Sequence, residues 1–137
     1  MKLMYTRPFF AALVCAPMMA TADGRALYLE HCSSCHGASL EGQPDWRSRN
    51  EGGTMPAPPH DASGHTWHHS DQVLFDYVKL GGQETLRRMG VDGFESAMPG
   101  FADLLSDREI RDVLNYIKST WPAELREYQL HITENAQ

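Results

Sequence analysis

Cys32 and Cys35 are separated by two residues and followed at once by His36. Two thiols at this spacing can add to the two vinyl groups of one haem, and a histidine directly after them can offer an imidazole nitrogen to the iron. Other chemistries fit less well. A zinc site takes four ligands, often from two such pairs, and the chain has only one pair. A thiol–disulfide redox pair opens a helix, where the amide groups stabilise a thiolate, whereas this pair closes a helical segment. A plain disulfide leaves His36, and the long irregular stretch after it, without a purpose. The pattern occurs once, so the expectation is one covalently attached haem c per chain, held by Cys32 and Cys35, with His36 as an axial ligand of the iron.

Iron held in this way needs either a second axial ligand or an open face, and the choice separates an electron carrier from a protein that handles oxygen or peroxide. The candidates are Met55, Met89 and Met98 together with His60, His65, His68, His69 and His131. Met98 is preferred because Pro99 fixes one backbone dihedral and Gly100 frees the next, a loop able to hold a thioether in place. A thioether also favours reduced iron and raises the potential, which suits a one-electron carrier. The histidines at 60, 65, 68 and 69 read as polar loop residues rather than a second metal site, since no carboxylate is placed to orient a ligand. Trp67 has two readings: it borders the haem and bonds a propionate through its indole N–H, or it simply anchors its own loop.

The elements that must position these groups read as helices. Asp23 can cap a helix over residues 24–31 that runs directly into Cys32. Ser70 can cap a second over 71–80, with Val73, Leu74, Tyr77 and Val78 at helical spacing and Gly81 to end it. Ser106-Asp107-Arg108-Glu109 spells a capping box for a third, in which Ile110, Val113, Leu114, Ile117 and Trp121 form one apolar stripe before Pro122. From 41 to 67 the chain turns to glycine and proline and loses any period. So long an irregular stretch in a small domain implies that something other than protein supplies the surface it packs on. No strand-like alternation of useful length occurs. The expected class is therefore all-α, with three main helices and long loops wrapped around one covalently attached haem, and a polar, frayed tail over 123–137.

The chain has 137 residues, 42% of them hydrophobic and 22% charged, which suits one ordinary globular domain. Its net charge of −6, without a basic cluster, argues against nucleic acid as a partner. Lys2 and Arg7 precede the apolar run from Phe9 to Cys15, and small residues follow at Ala20 and Ala22, the order of a secretory signal. Cleavage after Ala22 is expected. An uncleaved anchor would need roughly 20 apolar residues, and Pro8 and Pro17 bracket fewer, so no stable membrane insertion is expected afterwards. The expected organisation is a signal over 1–22, a domain over 23–122 and the tail over 123–137. Removing the signal takes away two positive charges and no negative one, and leaves an acidic domain bound for the periplasm.

In combination these features resemble the class I cytochromes c of the bacterial, monohaem kind, over nearly all of residues 23–122. Gly24 and Tyr28 precede Cys32 at the spacing of the small and aromatic pair that packs on the terminal helix in that family, and Val113 and Tyr116 resemble the matching pair on that helix. The resemblance implies that a proline carbonyl accepts the other N–H of His36, with Pro58 the best match and Pro59 next. The stretch from Gly64 to Gly81 also resembles a recurrent segment of the bacterial members, whereas His60, where an apolar residue is usual, and the long 41–66 loop depart from the pattern. The function implied is periplasmic one-electron transfer between redox protein partners, with no substrate transformed and hence no enzyme. The alternatives are a haem c subunit of a periplasmic dehydrogenase complex and, less favoured, a peroxidase or gas sensor with an open sixth site. Mass spectrometry of the exported protein should show residues 1–22 removed and one haem added. A colourless polypeptide with the mass of its amino acids alone, and with both thiols open to alkylation, would contradict this.

Overall fold

The computed structural model describes residues 23–136. The signal read over 1–22 lies outside the described residues. Six α-helices and no strand are found among them. The helices are α1 (Gly24–His31), α2 (Ser33–His36), α3 (Asp71–Leu80), α4 (Gly82–Arg88), α5 (Asp107–Ser119) and α6 (Ala123–Asn135). A turn of 3-10 helix covers Thr66–His68. The all-α expectation therefore holds.

The three helices read from local signals start where their caps place them. The Asp23 carboxylate accepts from the Arg25 N–H at 3.0 Å, the Ser70 hydroxyl accepts from Val73 N–H at 3.5 Å, and Ser106 and Glu109 exchange both bonds of a capping box. Cys32 ends α1 and also begins α2, so the cysteine pair sits at a junction of two helical segments rather than simply closing one.

Helices α1 and α5 cross in close contact, and Gly24 permits it. A Cβ at this position would land on the backbone carbonyl of Asp112 and press on Tyr116. Beneath the crossing, Tyr28 is fully buried with Leu40, Val113, Ile117 and Trp121. The resemblance-based pairing of Gly24 and Tyr28 with Val113 and Tyr116 is thus a physical contact, the two tyrosine rings lying 5.5 Å apart. A second buried cluster gathers Leu74 and Val78 of α3 with Leu105 and with Ile110 and Leu114 of α5. Leu27 touches both clusters and joins them through α1.

Two connections hold the functional segments against this frame. The loop after α2 is pinned by its own backbone, with Gly42 N–H on the His36 carbonyl at 2.8 Å and His60 N–H on the Leu40 carbonyl at 2.8 Å. Gly42, at φ 68°, passes so close to the Pro58–Pro59 peptide that a side chain there would collide with it. The segment returning to α5 is tied to the end of α3: Gly82 N–H donates to the Met98 carbonyl at 3.0 Å and Phe101 N–H to Val78 at 2.9 Å.

The frayed tail expected over 123–137 is corrected, because residues 123–135 form α6, docked on the Thr66–His68 turn. Leu125 packs on the Tyr28 cluster and Tyr128 on Trp67, but the one buried side chain of α6 is polar, so no continuous apolar stripe announces the helix. Gln129 is 3% exposed, and its Nε2 lies 2.7 Å from Asp71 Oδ1 and 3.1 Å from both the His69 carbonyl and Thr133 Oγ1. Asp71 N–H donates to Thr133 Oγ1 at 3.1 Å, while Lys118 Nζ reaches both Asp71 oxygens at 2.9 and 3.0 Å.

Gly24→Ala forces one methyl group into the α1–α5 crossing, where the obstacle is backbone and cannot turn aside. The expected cost is about 2–3 kcal/mol, at the upper end for overpacked cores, read from guanidinium unfolding of the coloured protein. An unchanged midpoint would contradict so close a crossing.

Candidate haem-binding site

The site begins with a single turn of chain. Cys32 is half-buried against the Tyr28 cluster, Cys35 is exposed, and His36 is 7% exposed. The two sulfurs do not form a disulfide with each other. Burial, and secondarily the neighbouring Cys35, push the Cys32 thiol up to about 11, so it is protonated at neutral pH. A thiol–disulfide exchange nucleophile needs the opposite shift.

His36 is oriented by a partner 22 residues along the chain. Its Nδ1 lies 2.8 Å from the Pro58 carbonyl oxygen. A carbonyl only accepts, so Nδ1 carries the proton and donates, and the lone pair of the neutral ring belongs to Nε2. Burial lowers the pKa of His36, against a smaller opposing effect of the Pro58 bond, and keeps the ring neutral. The result is an imidazole with its tautomer fixed and its Nε2 unprotonated, able to serve a metal. Of the two prolines considered from sequence, Pro58 makes the contact.

The sequence offers His60 as a loop residue and as one candidate for the second axial ligand, whereas the structure sets it beside His36. Its ring stacks on that of His36, with centroids 4.0 Å apart and planes 22° apart. Its Nδ1 shares a 2.8 Å hydrogen bond with Thr66 Oγ1, and its carbonyl accepts from Trp121 Nε1 at 2.7 Å. Burial first, then His36 and His65, hold His60 neutral, its pKa well below the ordinary value. The one signal in the sequence was the departure itself, a histidine just after the proline pair.

The remaining histidines are partnered by aromatic rings: His65 stacks on Trp46 at 5.3 Å and meets His69 edge-on at 5.4 Å, His68 lies against Trp67 at 3.8 Å, and His69 approaches Tyr77 at 6.4 Å. Among the described residues no group of three or more His, Cys, Asp or Glu side chains could hold a metal ion.

Met98 is half-buried on the second cluster, with Leu74, Val78, Leu105, Ile110 and Leu114. Its N–H donates to Ser96 Oγ at 3.3 Å and its carbonyl accepts from Gly82, so the backbone on either side of the thioether is tethered. Of the other sulfur candidates, Met89 is 51% exposed just past α4, and Met55 is half-buried in the loop. His131 lies on the exposed side of α6. Cys32 packs on the first cluster and Met98 on the second, with Leu27 between.

Trp67 supplies a test of whether a haem suits these residues. The ring packs on the Tyr28 cluster and meets Tyr128 of α6 edge-on at 5.7 Å. Its Nε1 is buried and has no hydrogen-bond partner. A buried donor without an acceptor costs about 1–3 kcal/mol, so this N–H calls for an acceptor that the polypeptide does not provide. A haem propionate is such an acceptor. Two sulfurs and a tautomer-fixed imidazole on one turn, a tethered thioether and an orphan donor form a set that a haem c fits.

The family model described as Cytochrome c matches residues 21–121. The chain belongs to the cytochrome c family and is a class I c-type cytochrome. Haem-based electron transfer with covalently bound haem c goes with that membership, as do redox partners. Comparison with curated proteins and with solved structures gave no match, so the family model alone carries the assignment. Helix α6 lies beyond the matched residues.

Trp67→Phe keeps an aromatic ring on the cluster and deletes the orphan N–H. With a carboxylate as its acceptor, the coloured protein should lose about 1.5–3 kcal/mol of unfolding free energy, the range for a hydrogen bond to a charged group. If the donor is unpartnered in the loaded protein, the substitution will be neutral or stabilising.

Proposed function

We propose that this chain is a periplasmic one-electron carrier with one haem c, bonded to Cys32 and Cys35 and ligated by His36 and Met98. When bound, the haem iron supplies a ferric/ferrous couple, and no substrate bond is made or broken. The observation that carries the reading is the 2.8 Å contact from His36 Nδ1 to the Pro58 carbonyl, one residue past the second cysteine. It leaves Nε2 free and raises its donor strength.

The other residues have defined tasks. Cys32 and Cys35 hold the ring covalently, so that it stays with the protein through repeated oxidation and reduction. Cys35 is exposed and keeps one attachment point at a surface that a partner can approach. The tethered Met98 offers a thioether, which favours reduced iron and sets a higher potential than a second imidazole. The Trp67 N–H stabilises a propionate carboxylate away from water.

Export rests on the charged, apolar and small-residue order of residues 1–22. Among the described residues no helix is long and apolar enough to cross a membrane. The net charge of −6, which signal removal makes more negative, favours a basic face on the redox partner, and such binding weakens as salt is added.

The ferric protein should show a sulfur-to-iron charge-transfer band that disappears in Met98→Ala, with the iron turning high-spin or taking a new ligand. High-spin ferric iron in the unsubstituted protein would overturn the Met98 assignment and favour an open sixth site. Replacing both Cys32 and Cys35 by alanine should release the haem to acidic solvent extraction, and retention would overturn the attachment.

A further inference from the structure

His36 has two restraints of different kinds. The Pro58 carbonyl restrains rotation of the ring about Cβ–Cγ through one hydrogen bond, a restraint that acts at a single edge of the ring and leaves its faces unheld. The stacked face of His60 supplies that second restraint, with ring centroids 4.0 Å apart and planes within 22°.

A stacked ring orients its neighbour only if it is itself immobile, and His60 is fastened from four parts of the chain. Its N–H donates to the Leu40 carbonyl at 2.8 Å and its carbonyl accepts from Trp121 Nε1 at 2.7 Å. Its Nδ1 bonds Thr66 Oγ1 at 2.8 Å, and Thr66 is itself buried, with its hydroxyl 3.5 Å from the Pro59 carbonyl. The Tyr28 ring meets His60 edge-on at 6.4 Å. An aliphatic side chain at residue 60 could fill the same space, but it would have neither a flat face to lay on His36 nor an atom to bond Thr66.

We propose that His60 is a positioning residue: its ring, laid on His36 and locked through Thr66, fixes the plane in which the His36 imidazole meets the haem iron. The inference rests on the proposed ligation by His36. Its consequence is electronic. An imidazole donates π density into whichever iron d orbital its plane selects, so one fixed plane gives one ligand-field asymmetry and a wandering plane gives a spread.

The experiment is low-temperature electron paramagnetic resonance of the ferric holoprotein, with the midpoint potential and thermal unfolding measured alongside, for the unsubstituted chain, His60→Phe and His60→Leu. The unsubstituted chain should give one narrow rhombic low-spin signal. His60→Phe, which keeps a flat face but loses the bond to Thr66, should keep the mean g values while broadening the signal. His60→Leu, which keeps bulk but not the face, should broaden that signal or split it in two and shift the potential. Thr66→Val, which removes the lock and keeps the volume, should broaden it in the same direction. If His60→Leu and Thr66→Val leave both signal and potential unchanged while only the unfolding temperature moves, His60 is a space-filler and the proposal is overturned. Absence of any low-spin signal in the unsubstituted chain would overturn the His36/Met98 reading itself, and the two failures are told apart by that first spectrum.

Discussion

The hydrogen bond from His36 to the Pro58 carbonyl links two parts of the chain that sequence separates, the turn that bears the sulfurs and the irregular loop that follows. For that carbonyl to arrive, Gly42 must run against the Pro58–Pro59 peptide, where no side chain would fit. Leu40 must receive the His60 N–H, and Trp121, beyond the end of α5, must hold the His60 carbonyl. Each of these is a backbone or indole group with one geometry available to it. A buried polar chain of this kind is costly if any member is left unpaired, so it specifies one arrangement of the loop rather than a family of them.

Around that link the molecule divides its labour between apolar and polar contacts. The α1–α5 crossing buries Tyr28 and its neighbours and gives the turn at Cys32 a rigid platform. The second cluster does the same for the Met98 segment, whose backbone is tied to the last turn of α3. Such clusters draw their stability from area removed from water and tolerate little change of volume. Helix α6 is attached differently. Its buried Gln129 and its Thr133 satisfy Asp71 and the His69 carbonyl, and Lys118 of α5 completes the group. These bonds are directional and a buried member left unpaired is costly, so the group fixes how α6 sits as well as holding it. It holds the Thr66–His68 turn, and with it both the Trp67 indole and the hydroxyl that locks His60.

The parts legible in the sequence are those whose signal and consequence lie within a few residues. Asp23, Ser70 and the Ser106–Glu109 box satisfy amide groups of the very helices they start, so their positions predict the helix beginnings. Gly81 ends α3 by the same local logic, and the alternating glycines and prolines of the 41–67 stretch deny it a period. The C-x-x-C-H spacing is local too: the reach between two sulfurs and a ring nitrogen is set by one turn of chain. Helix α6 is not marked locally because its one buried side chain is a glutamine, whose partners lie some 60 residues earlier. No apolar stripe of the kind that marks α5 accompanies it.

The sequence alone therefore determined the helical class, the caps and the chemistry that Cys32, Cys35 and His36 can perform, since each follows from residue type and short spacing. Only the tertiary structure decided that Pro58 rather than Pro59 faces His36, that His60 lies flat on that ring and that the Trp67 N–H is left without a protein acceptor. The physical reason is the same in all three. A carbonyl, an imidazole face or an indole N–H states what it can bond but not with whom, and the choice among many chemically equal partners is made by the packing that brings distant segments together.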